Sequence, residues 1–417
     1  MADAFQAGAK SPLSITDGLP AVPDSPPADP ASPAAVADSP AAPRPLAPPS
    51  TVTSTVTDSP SGVTASASPA PPWRRFATSW PASVSVARFV AALVLAIVGF
   101  GIVLLLQGRN PIDAYVNMFS VTLGTAFGRS EVVVKAIPLM LCALAVALPA
   151  RVGLVNVGGE GQLYLGAWLA SGVALTFTDL PIWLMLPLML VASIVGGALW
   201  ALLPAILRAK NWLNETISTL LLNYVAVLLV QFFVFGPWKD PKSANFPQSP
   251  AFVAAAKLPA FGAERIHFGL IFALVSVVVL FFVLRQTRWG FEMRAIGGNP
   301  EAARRAGIRI GTYIVLALLI GGAFAGIAGF GEVSAIQGRL RPEISPGYGF
   351  IGFLVSWLAG HNPLLVVVMA LLLGVLTASG DSLQISQHLP FASVNLLMAL
   401  TLVMVLVLRG RPAESTR

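Results

Sequence analysis

Apolar residues in this chain come in long runs separated by short polar breaks. Residues 89–106, 186–207 and 268–284 are three such runs, each near the roughly 17 to 25 residues a helix needs to cross a bilayer. Taken with the shorter runs, they predict an all-α polytopic membrane protein of about ten transmembrane helices. The expected centres are Ile97, Leu141, Ala170, Ala192, Ala226, Val275, Ala323, Leu354, Met369 and Leu402. Residues 1–72 differ in kind: Ala, Pro, Ser and Thr dominate and no apolar period is present. Such a composition does not offset the entropy of ordering. It predicts a disordered cytoplasmic tail, not a signal peptide, ahead of a membrane domain over 85–410.

The run beginning near residue 347 is the weak one. Residues 347–359 are too few to span, and the polar stretch 337–346 precedes them. A re-entrant half-helix fits this pattern, because irregular backbone is tolerated at membrane depth only inside protein or around a water-filled cavity. A comparable break covers 149–162, and Trp-Leu-Ala triplets follow both, at Trp168-Leu169-Ala170 and Trp357-Leu358-Ala359. Matching interruptions in two halves are what an internally repeated transporter shows. Opposite predicted directions make the repeat an inverted one.

Composition sharpens the picture. Hydrophobic residues make up 55% of the chain and charged residues 11%, against about 25% charged in a soluble domain. The net charge of +7 does not imply nucleic acid, since the basic residues flank the apolar runs as positive-inside topology requires. Arg74, Arg75 and Arg88 precede the first run, Arg208 and Lys210 follow another, and Arg409, Arg411 and Arg417 close the chain. Loop 285–309 is the most basic, with Arg285, Arg288, Arg294, Arg304, Arg305 and Arg309 against Glu292 and Glu301. An even span count keeps these segments and both termini in the cytoplasm and puts the nearly neutral 237–266 loop outside. One cysteine, Cys142, and three scattered histidines, His267, His361 and His388, supply no disulfide and no metal cluster. No cofactor is expected.

Three constellations carry chemistry. Asn156-Val-Gly-Gly-Glu160-Gly-Gln162 lies between two apolar runs, where an ionised carboxylate at bilayer depth costs about 2.5 to 3.5 kcal/mol or more. Asn156, Glu160 and Gln162 are therefore candidate substrate-path residues; the alternative is a loop at the cytoplasmic surface with Glu160 solvated. In Asn214-Glu215-Thr216 a cap and a dipole-complementing carboxylate account for both polar groups. Asn223, further into the same run, needs a cross-helix partner or a substrate. Glu332 ends a run in which Gly321, Gly322, Gly326 and Gly329 predict close helix packing; interfacial solvation would explain that carboxylate. The third stretch begins at Arg294 and contains Asn299-Pro300-Glu301-Ala-Ala303-Arg304-Arg-Ala-Gly307. Asn299 is an N-cap, Pro300 fits the first helical position, Glu301 complements the dipole and Gly307 stops the helix. A cytoplasmic helix of about two turns results, of a kind a partner can push on.

No Gly-x-x-x-x-Gly-Lys-Ser/Thr is present, and none of the six lysines follows a glycine. ATP hydrolysis through a P-loop is excluded. Gly-x-Ser-x-Gly and His-Glu-x-x-His are absent as well, leaving an enzymatic reading without nucleophile or metal. These stretches resemble permease subunits of ATP-binding-cassette (ABC) importers of the nucleoside and simple-sugar branch. The resemblance rests on 156–167, on 214–224 and on 294–307, in that order, and extends over 85–410. It implies a bacterial cytoplasmic (inner) membrane location, an ABC ATPase subunit, a second permease subunit (the same chain or a different one) and an extracytoplasmic substrate-binding lipoprotein. It also implies that Arg294, Asn299, Pro300, Glu301, Ala303, Arg304 and Gly307 belong to the loop that couples to the ATPase. The Asn-x-Gly-x-Glu-Gly-Gln stretch is typical of nucleoside-type members, whereas sugar-type members carry Ile-Asp-Leu-Ser-Val-Gly in the comparable region. Nucleoside uptake is the expected activity. A simple-sugar permease is one alternative, and an ion-coupled secondary transporter using Glu160 is another.

Overall fold

The computed structural model describes residues 82–243, 246–261, 265–387 and 391–408. All belong to one compact unit, Ala67–Arg417. The expected tail (1–72) lies outside the described residues, as do the flanking Arg74, Arg75, Arg409, Arg411 and Arg417. Thirteen α-helices follow in order: α1 Ala82–Leu106, α2 Pro111–Thr122, α3 Ala126–Ala150, α4 Gly159–Thr176, α5 Ile182–Ala209, α6 Glu215–Phe235 and α7 Gly269–Gln286, then α8 Arg288–Gly298, α9 Pro300–Arg305, α10 Ile310–Gly331, α11 Tyr348–Leu358, α12 Pro363–Gln387 and α13 Phe391–Leu408. Among the described residues there is no strand beyond one isolated bridge, Ala260 to His267.

Every expected span centre falls within a helix, and among the described residues seven helices are long and apolar enough to cross a membrane, fewer than the ten or so expected. These are α1, α3, α5, α6, α7, α10 and α12. The shortfall has physical causes. α4 opens on the polar Gly159-Glu-Gly-Gln162, and α11 has 11 residues, or about 16 Å, half the thickness of a bilayer core. α2 was not anticipated. Its local signal is nonetheless complete: Asn110 Oδ1 accepts from the Ile112 N–H at 3.0 Å, and Pro111 holds the first helical position. α2 packs on α12.

α3 is the axis of the bundle. Of its membrane window 89% is buried, against 28% for α1 and α5, and α7, α10, α11 and α12 surround it. Lipid is as apolar as leucine, so membrane helices associate through close van der Waals contact between small residues. The expectation for the glycines of α10 holds. A Cβ on Gly322 would collide with the Gly197 carbonyl of α5, and one on Gly166 of α4 with Gly326. α4, α5 and α10 therefore cross backbone to backbone.

α7 has 18 residues and so separates the two ends of the bundle by about 27 Å. One end carries the 237–266 loop; the other carries α8 and α9. Two loop segments are tied together at the first end, where Ser249 N–H donates to Leu340 O (2.9 Å) and Phe252 N–H to Gly338 O (2.8 Å).

Candidate functional site

The backbone leaves helical geometry after α3 and turns back alongside it. Asn156 Nδ2 donates to Ala145 O of α3 at 3.0 Å and to Gln162 Oε1 at 3.1 Å, while Asn156 Oδ1 accepts from Gly158 N–H at 2.9 Å. α4 then starts inside the bundle. Gly161 N–H donates to Asn223 Oδ1 at 2.8 Å, and Asn223 Nδ2 donates to Val157 O at 2.9 Å. Asn223 lies eight residues beyond Glu215, the first residue of α6, hence about 12 Å from that end. The reading of 158–161 as a solvated surface loop is overturned: Asn156, Glu160, Gln162 and Asn223 are all buried, and Glu160 is 4% exposed. Orphan donors and acceptors in a water-poor interior would be costly. The amides occupy each other and the irregular backbone for that reason.

α11 starts at the same place. Glu160 Oε2 accepts from the Gly349 N–H at 2.7 Å, and Ser345 Oγ accepts from Gly347 and Tyr348 N–H at 3.0 and 2.7 Å. Gly349 abuts the backbone of Gly159 and Glu160 so closely that a side chain at 349 would not fit. From this point α4 runs toward Trp168 and its partner Trp238 near the 237–266 loop. α11 runs the other way, toward the turn where His361 O accepts from Arg151 Nη2 at 2.6 Å. Two helices, α4 and the short α11, thus meet N-terminus to N-terminus on one carboxylate, which complements both positive dipole ends. The half-helix expected at 347–359 is present as α11, and it meets the 149–162 break at Glu160 and Gly349. This is a contact between the two breaks; symmetry between two halves is a separate matter.

Sequence reasoning missed several partners. Thr219 Oγ1 accepts from Val157 N–H at 3.2 Å. Asn214 does cap α6, accepting from Thr216 N–H at 2.8 Å, but Glu215 does more than complement the dipole. It pairs with Arg208 at 2.8 Å and accepts from Val155 N–H at 3.3 Å, which its position beside a basic run-end hinted at. Glu332 is buried rather than solvated at an interface. Its helix widens into a π turn over Glu332–Gln337.

The second candidate lies at the end of the bundle that carries α8 and α9, where Gly297 of α8 abuts Arg151 just past α3. Asn299 Oδ1 accepts from Ala302 N–H at 3.1 Å, Pro300 is the first residue of α9, and Gly307 adopts φ +79° just past its end. Glu301 and Arg304 pair across the helix at 3.5 Å and stay exposed. Ala303 is 3% exposed and anchors α9 to the chain's own core. Loop 285–309 contains a further helix that the sequence reading did not separate, α8, capped by Thr287 through Gly290 N–H at 3.2 Å. Arg294 on α8 donates to Leu284 O at the end of α7. Hydrogen bonds from the Tyr313 hydroxyl and from Arg288 hold the Glu292 carboxyl below its ordinary pKa. Burial, and then the nearby Arg294, lower that of Arg151. Between α8 and the start of α10 lies a groove of about 630 Å³ walled by Phe291, Ile308, Tyr313 and Arg288.

Among the described residues no three His, Cys, Asp or Glu side chains converge to hold a metal ion. The family described as "Branched-chain amino acid transport system / permease component" matches residues 128–408. The chain is 40% identical over 345 residues to the glucose ABC transporter permease protein TsgB13 of Haloferax volcanii, covering 80% of this chain and 89% of that one. It is 32% identical to the nucleoside ABC transporter permease protein NupB of Lactococcus lactis, covering 69% and 83%, and 30% identical to the guanosine ABC transporter permease protein NupP of Bacillus subtilis, covering 75% and 91%. With a match over most of the membrane bundle and relatives of this identity and coverage, the chain belongs to the branched-chain amino acid transport system permease family, as an ABC transporter permease.

Proposed function

We propose that this permease carries nucleosides inward through an ATP-driven importer, with α9 as the element on which a separate ATPase acts. One observation carries the reading: α9 is a short helix with a defined start and stop, fixed to the bundle through Ala303 and exposing Glu301, Arg304 and Arg305. A chain without a P-loop takes its energy through a protein contact, and this helix is built to transmit one. In this reading Asn299, Pro300 and Gly307 set the helix ends and Arg294 ties α8 to α7. The end bearing α8 and α9 is cytoplasmic, together with both termini. A second permease subunit and an extracytoplasmic binding lipoprotein complete the assembly in a bacterial inner membrane. Asn156, Glu160, Gln162 and Asn223 shape the transport path by fixing where α4 and α11 begin, and an inverted repeat would explain why each half supplies one such helix. Residues 1–72 are dispensable.

Nucleoside relatives and the Asn-x-Gly-x-Glu-Gly-Gln stretch favour nucleosides. The 40% identity to a glucose permease favours a sugar, so the absence of the sugar-type stretch does not decide the substrate. Proteoliposomes holding the chain with its ATPase, permease partner and binding protein test both. ATP-dependent uptake of labelled adenosine or guanosine that unlabelled glucose does not suppress is the expected result. Uptake of glucose alone replaces the nucleoside reading. Uptake that survives without ATP and collapses with an ionophore replaces the ABC mechanism with ion coupling.

A further inference from the structure

Most of the surface the bundle offers to its surroundings is what lipid requires. α1 exposes Val94, Val98 and Ile102, and α7 exposes Val275, Val278 and Phe282. The exposed stripe of α6 departs from this. Between Leu221 and Leu228 it presents Tyr224, 64% exposed near the middle of the helix, and two turns beyond Tyr224 lies the half-buried Gln231. Polar groups at bilayer depth favour protein or a water-filled path over lipid, so this stripe faces one of these rather than lipid alone.

The stripe ends in a groove. Gln231 and Phe235 of α6, Phe246 and Gln248 of the 237–266 loop, and Arg341 and Glu343 of the segment leading into α11 wall a space of about 680 Å³. Small-molecule sites commonly enclose about 300 to 1,000 Å³. Its walls are preorganised: Ser249 and Leu340 exchange two hydrogen bonds of 2.9 Å, and Gln248 Nε2 donates to Ser243 Oγ at 3.0 Å. Phe246 and Phe235 offer ring faces, being 73% and 58% exposed. The two amides, the Arg341 guanidinium and the Glu343 carboxylate offer directional donors and acceptors, one positive and one negative. Flat apolar faces beside balanced hydrogen-bonding groups suit an uncharged ring compound bearing hydroxyls.

We propose that this groove is a solute-receiving site of the permease, taking an uncharged hydroxylated ring compound, the chemistry shared by a nucleoside and a hexose. It rests on the reading of the chain as an importer permease whose 237–266 loop faces outward. Occupancy would also reach the Glu160 junction, since Arg341 and Glu343 lie on the segment whose Ser345 caps α11.

Equilibrium binding of tritiated adenosine and of labelled glucose to the permease–ATPase complex in nanodiscs, without binding protein, tests the site. Saturable binding of one of them is expected, weakened about tenfold by Gln231→Leu and by Arg341→Ala, as for loss of one hydrogen bond. Val278→Ala, on the lipid face of α7, should bind as wild type. No saturable binding of either compound to a complex that transports one of them once binding protein is added overturns the site while leaving the transport reading intact. Unchanged binding in both variants overturns it as well. Unchanged solute binding with weakened capture of the binding protein makes the groove a protein-docking surface instead. Binding that behaves as expected in a complex that transports neither compound sustains the site and removes the uptake reading.

Discussion

At the residue scale, a buried acceptor is worth most where no water can replace it. Glu160 Oε2 is the acceptor for Gly349 N–H. Glu160→Gln keeps an oxygen there, whereas Glu160→Ala leaves a buried donor unmet, at about 1–3 kcal/mol. The alanine variant should melt clearly lower in detergent than the glutamine variant; equal melting of the two would show that the contact does not hold the junction. His267 makes a second test. Its Nδ1 accepts from Gly269 N–H at 3.1 Å in a buried site, so the ring is neutral there. Burial, then Arg265, pushes its pKa from 6.5 down to about 4. The folded-state value lies below the unfolded one, so this stabilisation is complete above pH 6.5 and is lost as pH falls toward 4. The melting temperature should drop over that window more steeply for the wild type than for His267→Asn, which can still accept the bond without charging.

At the element scale, α9 is six residues long and owes its existence to its ends. Asn299→Ala should weaken it by about 1 kcal/mol. Gly307→Ala puts a Cβ in the left-handed region that glycine tolerates, at about 1–2 kcal/mol. Ala303 is a poor probe of a partner contact, since a charge there enters the chain's own core. Arg305→Glu is the better one, being exposed. It should leave stability within about 0.5 kcal/mol of wild type and reduce both ATPase pull-down and ATP-driven uptake. Normal pull-down and uptake in this variant would make α9 a connector.

At the scale of the whole molecule, the crossing of α4, α5 and α10 sets how closely the bundle closes around α3. Gly322→Leu drives a side chain into the Gly197 carbonyl, and overpacking of this kind costs about 1–3 kcal/mol or more. The variant should insert but elute as an expanded or aggregated species on size exclusion. Gly311→Leu, in the same helix but with open space at its Cβ, should elute as wild type.

What the sequence determined by itself was local: apolar length placed a helix at each of the ten centres, and the caps at Asn214 and Asn299 and the stop at Gly307 were readable because a cap acts within four residues. The half-helix at Tyr348–Leu358 was legible from its shortness and polar approach. Four things only the tertiary structure decided. These are the meeting of Glu160 with Gly349 across 189 positions, the burial of Ala303, the exposure of Tyr224, and the number of helices that qualify as spans. The physical reason is common to them. In a soluble helix an apolar stripe marks the buried face, but lipid and protein interior are equally apolar, so a membrane helix carries little local sign of which face meets which neighbour. That choice is made by backbone fit at glycine crossings and by the need to satisfy every polar group inside the bundle, and both are properties of the assembled fold.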